Sequence, residues 1–243
     1  MKRHFWGLAL VLSVTTAFLL AKDFWEKPFS EWKEQEVRKM LTDSPWADQH
    51  VFTRTLISEF QSSGVGGEKE LFDAYTVRFF TAIPIRQAYV RMLQLNHKYD
   101  EMVPEQKEQF DTQTSGFLSG ESPDIVVALD FASNDQSMSM QIQRTLQYQT
   151  TDQLKQLVYL FTDSAGQIPV KQYFAPGQDG TGAKFIFPRT IDGKPVVTPQ
   201  DKEVKFEFEV PNSQSTGSEV SAPHRIFITW KVKDMMYQGQ LAL

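Results

Sequence analysis

Hydrophobic and polar positions follow two periods along this chain, a helical one in the first half and a strand-like one in the second. Phe29, Val37, Met40 and Leu41 fall on one face of a helix predicted over 31–41, with Trp32 at its edge and Ser30 as its cap. That helix must stop before Pro45, because the residue preceding a proline is pushed out of the helical region. Residues 50–60 then alternate as a strand, with Val51, Thr53, Thr55 and Ile57 on one side. A second strand follows over 74–83, and the glycine-bearing stretch 61–70 between them suits a long hairpin loop. Pro84 opens the most regular helical pattern, Ile85, Ala88, Tyr89, Met92 and Leu93, with Gln87, Arg91 and Gln94 on the opposite side. Pro104 starts a helix with only a thin apolar stripe over 105–114.

From residue 124 the period changes. Residues 124–132 form a nearly continuous apolar run bounded by Pro123 and by Ser133, Asn134 and Asp135, as a buried strand would. Met138, Met140 and Ile142 alternate like a strand, whereas Met138, Ile142, Thr145 and Leu146 fit a helix, so the segment reads both ways. Residues 157–162 and 168–174 flank a hairpin turn with Gly166 available for positive φ, 184–189 is a further strand, and 192–194 a tight turn. In 203–210 the alternation is strict: Val204, Phe206, Phe208 and Val210 turn one way, Glu203, Lys205, Glu207 and Glu209 the other. Ile226, Ile228, Trp230 and Val232 repeat it after a polar loop at 211–223. The pattern predicts an α+β protein: helices and a β-hairpin over 22–122, then an antiparallel β-sandwich of immunoglobulin-like or C2-like kind over 123–243. A single compact domain is the alternative if the early strands join the later sheet.

Residues 1–21 carry a different signal. Lys2, Arg3 and His4 precede an apolar run from Phe5 to Leu20 and then Ala21, which are the three parts of a secretory signal peptide. An uncleaved membrane anchor is the alternative, although the run is short for a span of about 20 apolar residues. The expected location is therefore outside the cytoplasm, periplasmic or secreted, with membrane attachment only if the segment stays on. Removing residues 1–21 takes away two basic groups and no acid, so the formal charge goes from −5 to −7. A net negative chain repels phosphate backbones, which argues against nucleic acid as a partner. There is no cysteine, so disulfides, thiolate nucleophiles and zinc–sulfur sites are excluded.

Candidate chemistry is sparse. His50, His97 and His224 are isolated in sequence, with no paired-ligand spacing, and each reads as a surface histidine; no metal or cofactor is implied. Ser30 and Lys33 match S-x-x-K, but its companion elements are missing and a helix cap accounts for Ser30. The glycine-rich stretch 177–184 lacks the Ser or Thr of a phosphate loop and leads into a strand, so it reads as a loop. Asp43 and Asp130 are carboxylates that folding would have to gather before they did acid–base work. Arg78, Arg86, Arg91 and Arg189 stand among apolar residues and serve either structural pairing or an anion pocket. The tryptophans Trp25, Trp32 and Trp46 are either packed on the body or displayed to a partner.

Three blocks, residues 22–47, 75–91 and 173–209, resemble a group of functionally uncharacterised exported proteins of acidobacteria, over nearly all of the chain beyond residue 21. Some related exported proteins carry a GWxTD element; Thr42 and Asp43 agree with it and Lys39, Met40 and Leu41 do not. The resemblance implies export and no particular reaction. The leading expectation is a non-enzymatic binding or structural module of the cell envelope, its partner an envelope protein or a small anionic ligand. An envelope hydrolase using carboxylates or arginines, and a membrane-tethered protein, are the alternatives.

Overall fold

A computed structural model of the chain describes residues 23–57, 68–120, 122–213 and 223–243. The expected signal segment, most of the first hairpin loop and most of the polar loop after residue 213 lie outside these residues. The fold is α+β. Its strands are β1 (Ala47–Ile57), β2 (Glu68–Phe79), β3 (Asp124–Ser133), β4 (Val158–Thr162), β5 (Gly166–Pro169), β6 (Gln172–Phe174), β7 (Ala183–Pro188), β8 (Thr190–Ile191), β9 (Lys194–Pro195), β10 (Glu203–Glu209), β11 (Arg225–Lys231), β12 (Met236–Tyr237) and β13 (Gln240–Leu241). Its helices are α1 (Glu34–Thr42), α2 (Ile83–Asn96), α3 (Pro104–Ser119), α4 (Gln136–Tyr148) and the single turn α5 (Thr151–Leu154).

Two antiparallel sheets organise the core. One runs β1-β2-β3-β7-β6 and the other β11-β10-β4-β5. The first takes strands from both sides of residue 123: Thr76 of β2 pairs with Asp130 of β3, and Val127 of β3 with Phe185 of β7. That register puts Phe79, Val127, Phe185 and Tyr173 in one row of the same face, every one of them buried. Opposing them are Phe206 and Phe208 of β10, whose rings lie 5.7 and 5.2 Å from that of Phe185, while Phe79 meets Trp230 of β11 at 4.8 Å. Large aromatic side chains interdigitating in this way carry much of the hydrophobic stabilisation, about 2 to 3 kcal/mol for each one fully buried. The alternate residues of β10, Glu203, Lys205, Glu207 and Glu209, lie on the other side, partly or fully in water, as the strict period of two predicts.

Helices α1 and α2 meet the outer face of the larger sheet at Arg78, whereas α4 reaches the inner-face residues Tyr173 and Arg54, and the sequence pattern of the helices needs two corrections. Helix α1 begins three residues later than predicted, at Glu34, and Ser30 sits exposed in a 3-10 turn (Phe29–Glu31) instead of capping it. The start is set by Glu36, whose carboxylate accepts the Lys33 backbone N–H at 2.7 Å and Lys27 Nζ at 2.8 Å. Helix α2 is buried on more than its predicted stripe: Arg91 and Gln94 are inside while Leu93 is 39% exposed. The N-terminal segment covers the side expected to face water, and Arg91 Nε donates to the Trp32 carbonyl at 3.0 Å. The ambiguous segment resolves as α4, because Asp135 accepts the backbone N–H groups of Ser137 and Met138 and so caps a helix.

The aromatic residues at 24–46 pack onto the body, Phe24, Trp25 and Phe29 being partly buried against the core. Trp32 and Trp46 are fully buried, and Trp46 Nε1 donates to the Ala242 carbonyl at 2.9 Å, tying the start of the fold to its last residues. Trp25 packs edge-on against Trp46 at 5.9 Å, and Tyr237 of β12 does so at 6.3 Å.

Gly182, in the loop before β7, has φ +79°, and a Cβ there would lie 2.3 Å from the Leu129 carbonyl oxygen and 2.4 Å from Asp130 Oδ1. Gly180 has φ +67° but open space around it. Gly182→Ala is therefore expected to lose about 3 kcal/mol of stability, strain plus a backbone clash, and Gly180→Ala only about 1 kcal/mol. Urea midpoints of the two variants check this; equal midpoints would contradict it.

Candidate functional site

The arginines singled out by sequence separate into three environments. Arg78, on the outer face of β2, is 7% exposed. Its Nε donates to the Leu41 carbonyl near the end of α1, and its Nη1 to the Tyr89 hydroxyl of α2 at 3.2 Å and to the carboxylate of Asp130 on β3. Burial of Tyr89 pushes its hydroxyl pKa up to about 12, against the opposing pull of Arg78, so it stays a protonated partner. Arg78 also lines a cleft of about 540 Å³ between α1 and α2, with Leu41, Met92 and Leu95 as apolar walls and Glu34, Arg38, Thr42 and Asn96 around them. That volume is within the range of small-molecule sites.

Arg86, in the first turn of α2, donates through Nη1 to the Phe117 carbonyl at 3.1 Å and to that of Gly120, closing the C-terminal end of α3. Arg189 donates from Nε to the Ser122 carbonyl at 3.1 Å and from Nη2 to the Leu243 main-chain oxygen at 2.8 Å. The two line one cavity of about 260 Å³ together with Thr81, Ile83, Ser122, Leu241, Ala242 and Leu243. Desolvation, and then the charge of Arg189, lower the pKa of Arg86. Arg91 is the third case, buried and structural: besides Trp32 it reaches Gln94 at 3.2 Å, and Asp100 lies 3.7 Å away.

Other candidates are not gathered into a site. Asp43 is an exposed partner of Lys39 at 2.5 Å, whereas Asp130 answers to Arg78, so the two carboxylates serve different cations. His97 caps the end of α2 at the surface. Trp32 and Trp46 are unavailable to a partner, being buried; Trp25 is half-buried and lines a shallow hollow with Glu26, Met236, Tyr237, Gln238 and Gly239. Among the described residues no group of three or more His, Asp or Glu side chains could hold a metal ion.

Sequence reasoning missed one polar cluster altogether. Asp73 of β2 is fully buried on the face that otherwise carries Leu71, Tyr75, Val77 and Phe79. Its Oδ1 accepts from Ser133 Oγ at 2.6 Å, while Oδ2 has no hydrogen bond and lies 3.5 Å from Arg54 Nε and 4.0 Å from His224 Nε2. Arg54 goes on to Asp135 at 2.6 Å. Hydrogen bonds from Ser137, then Arg54 and backbone amides, outweigh desolvation and hold the Asp135 carboxyl down at about 2. His224 is no lone surface residue: its Nδ1 meets the Tyr75 hydroxyl at 2.9 Å, and its ring stacks on Phe52 at 4.2 Å. The signal that could have found this cluster is a charged residue in the inward phase of a strand.

A search of protein-family profiles, of curated proteins and of solved structures returns no match to this chain. Among the described residues no helix is long and apolar enough to cross a membrane.

Burial lowers the pKa of His224 below its ordinary 6.5, opposed by Asp73 and reinforced by Arg54 and His50. The native imidazole therefore stays neutral where the unfolded one takes up a proton. Its contribution to stability is present above pH 6.5 and is lost as pH falls from there toward the native pKa. His224→Gln is expected to be less stable at neutral pH yet to lack this acid-side loss below pH 6.5. Urea unfolding across that range tests it, and parallel profiles would refute it.

Proposed function

We propose that the protein is an exported, non-enzymatic binding module of the cell envelope whose cleft between α1 and α2 takes a small amphipathic anion. The observation that carries this reading is Arg78, placed at a cleft of about 540 Å³ whose walls include Leu41, Met92 and Leu95. An anionic head reaches the guanidinium of Arg78 or that of Arg38, and an apolar body replaces water along the three aliphatic side chains. Both arginines already have acidic neighbours, Asp130 and Glu34, so the ligand adds to pairs that are neutral as they stand. Affinity then comes chiefly from the apolar walls, with the guanidinium groups orienting the head.

The two facing sheets are read here as a sandwich of the immunoglobulin-like or C2-like kind, to which hairpin β1–β2 is added. The interleaved rings of Phe185, Phe206 and Phe208 support that reading. Export rests on the basic start and apolar run of residues 1–21, and the resemblance to exported acidobacterial proteins is in keeping with it. Material recovered outside the cytoplasm is expected to have lost residues 1–21 by intact mass; retention of all of them would establish the tethered form instead.

Octanoate serves as the ligand probe. It is expected to raise the melting temperature of the full chain in a concentration-dependent way, as a ligand of the native state must. Asn96→Trp, an exposed residue of the cleft, is expected to fill the space and abolish the shift without lowering the melting temperature of the unliganded protein. A shift of equal size in wild type and variant would place octanoate elsewhere and remove the cleft as the site.

A further inference from the structure

The described helices pack chiefly on the larger sheet and on one another, which leaves the outer face of the smaller sheet, β11-β10-β4-β5, without a helical cover. Along its strands, outward residues alternate with buried ones: Tyr159 and Phe161 on β4, Lys205, Glu207 and Glu209 on β10, Arg225 and Phe227 on β11. The register sets Glu207 opposite Tyr159 on one side and Phe227 on the other, so one carboxylate stands between two aromatic rings. These three line a pocket of about 160 Å³ together with Gln156, Leu157, Phe208, Glu209 and Arg225. Glu209 holds Arg225 at 2.7 Å, and Lys205, in the next row, reaches Glu203 at 3.3 Å. Among the described residues Glu207 has neither an ion pair nor a hydrogen bond. The pocket lining therefore carries two carboxylates and one guanidinium, and its net charge is −1. The cations that lie over aromatic rings among the described residues are Lys107 on Tyr99 and Lys184 on Phe80, so the rings of Tyr159 and Phe227 have none.

We propose that this pocket is a binding site for a quaternary ammonium group. Three features favour that class. The carboxylate of Glu207 supplies the charge, and the rings on either side of it present the electron-rich faces that attract a weakly hydrated cation. Leu157 adds apolar surface, from which methyl groups on the nitrogen displace water. A primary ammonium is a strongly hydrated point charge with three N–H groups to satisfy, whereas a quaternary one needs only a counter-charge and apolar contact. The volume corresponds to about five water molecules, room for a nitrogen with its methyl groups. Arg225 repels a cation, so its retention on Glu209 is a condition of the site.

Isothermal titration of the full chain with tetramethylammonium chloride, at constant ionic strength and with sodium chloride as the blank, tests the assignment. Tetramethylammonium is expected to bind with a dissociation constant of about 1 mM, and ammonium chloride at least about fivefold more weakly, since it brings no methyl groups to the rings. Glu207→Gln is expected to weaken tetramethylammonium about fivefold, the effect of losing a partly exposed charge pair. Phe227→Leu keeps an apolar side chain without the ring and is expected to weaken it about threefold. Both substitutions lie on the outward face, so both variants are expected to melt as the wild type does. Asn96→Trp, which fills the cleft between α1 and α2, is expected to leave the affinity unchanged, so failure of that cleft does not decide this site. Heats no larger than those of sodium, unchanged affinity in both pocket variants, ammonium binding as tightly as tetramethylammonium, or loss of binding in Asn96→Trp would each overturn the proposal. Choline chloride and phosphatidylcholine vesicles then separate the two sources of such a group: Glu207-dependent sedimentation with vesicles identifies a lipid headgroup, and binding of choline alone a free solute.

Discussion

One buried guanidinium sets the position of the helical layer. Arg78 leaves the outer face of β2 and finds acceptors on three other elements: the Leu41 carbonyl of α1, the Tyr89 hydroxyl of α2 and the Asp130 carboxylate of β3. A cation taken out of water and deprived of such partners costs several kcal/mol, so α1 and α2 are bound to lie where their acceptors reach it. The requirement is mutual. The carbonyls of the last turn of a helix lack partners within the helix, and Arg78 supplies one to α1. The cleft between α1 and α2, and the place where α2 begins beside Arg189, both follow from this docking.

How much of this the sequence discloses depends on how many layers cover an element. Strand β10 is covered on one face, and its alternation of Phe and Val with Glu and Lys reads directly as inside and outside. Helix α2 is covered by the sheet on one side and by the N-terminal segment on another, so a single apolar stripe does not describe it. Arg91 and Gln94 are buried because the Trp32 carbonyl is there to meet Arg91. Nothing near residue 91 in sequence announces that neighbour, 59 residues away. Helix α4 shows another limit: methionine and isoleucine at alternate positions satisfy both periods, and only the capping carboxylate of Asp135 separates them. The same local logic was misleading at Ser30, a good capping residue by type, because Glu36 holds the start of α1 through Lys33 instead.

For the sites, residue type was legible and partnership was not. Arginine among apolar residues drew attention to Arg78, Arg86, Arg91 and Arg189 as groups for structural pairing or an anion pocket. Whether each meets a carboxylate, a carbonyl or a ligand depends on pairings across the fold, such as Arg78 with Asp130, 52 residues apart. Tryptophan was ambiguous for a related reason. Its large apolar body suits either a core or an interface, and the choice for Trp46 depends on the Ala242 carbonyl that its indole N–H reaches at the far end of the chain.

Several charged groups at or near the interior stand where layers meet. Arg78 joins the helices to the larger sheet. Arg54, Asp73 and His224 stand near the seam between β1 and β11, where His50 Nδ1 lies 3.2 Å from the Phe227 carbonyl across the two sheets. Arg86 and Arg189 gather the end of α3, the start of α2 and the last residues of the chain. Apolar contact between Phe185, Phe206 and Phe208 holds the layers together, yet it is non-directional and tolerates sliding. Charge-assisted hydrogen bonds tolerate little misalignment, so each joint limits the relative placement of the elements it connects. Not every joint is closed equally well: at Asp73 and Arg54, and again at Arg86, a buried polar atom is left without a hydrogen bond, a cost that the apolar packing around it has to offset.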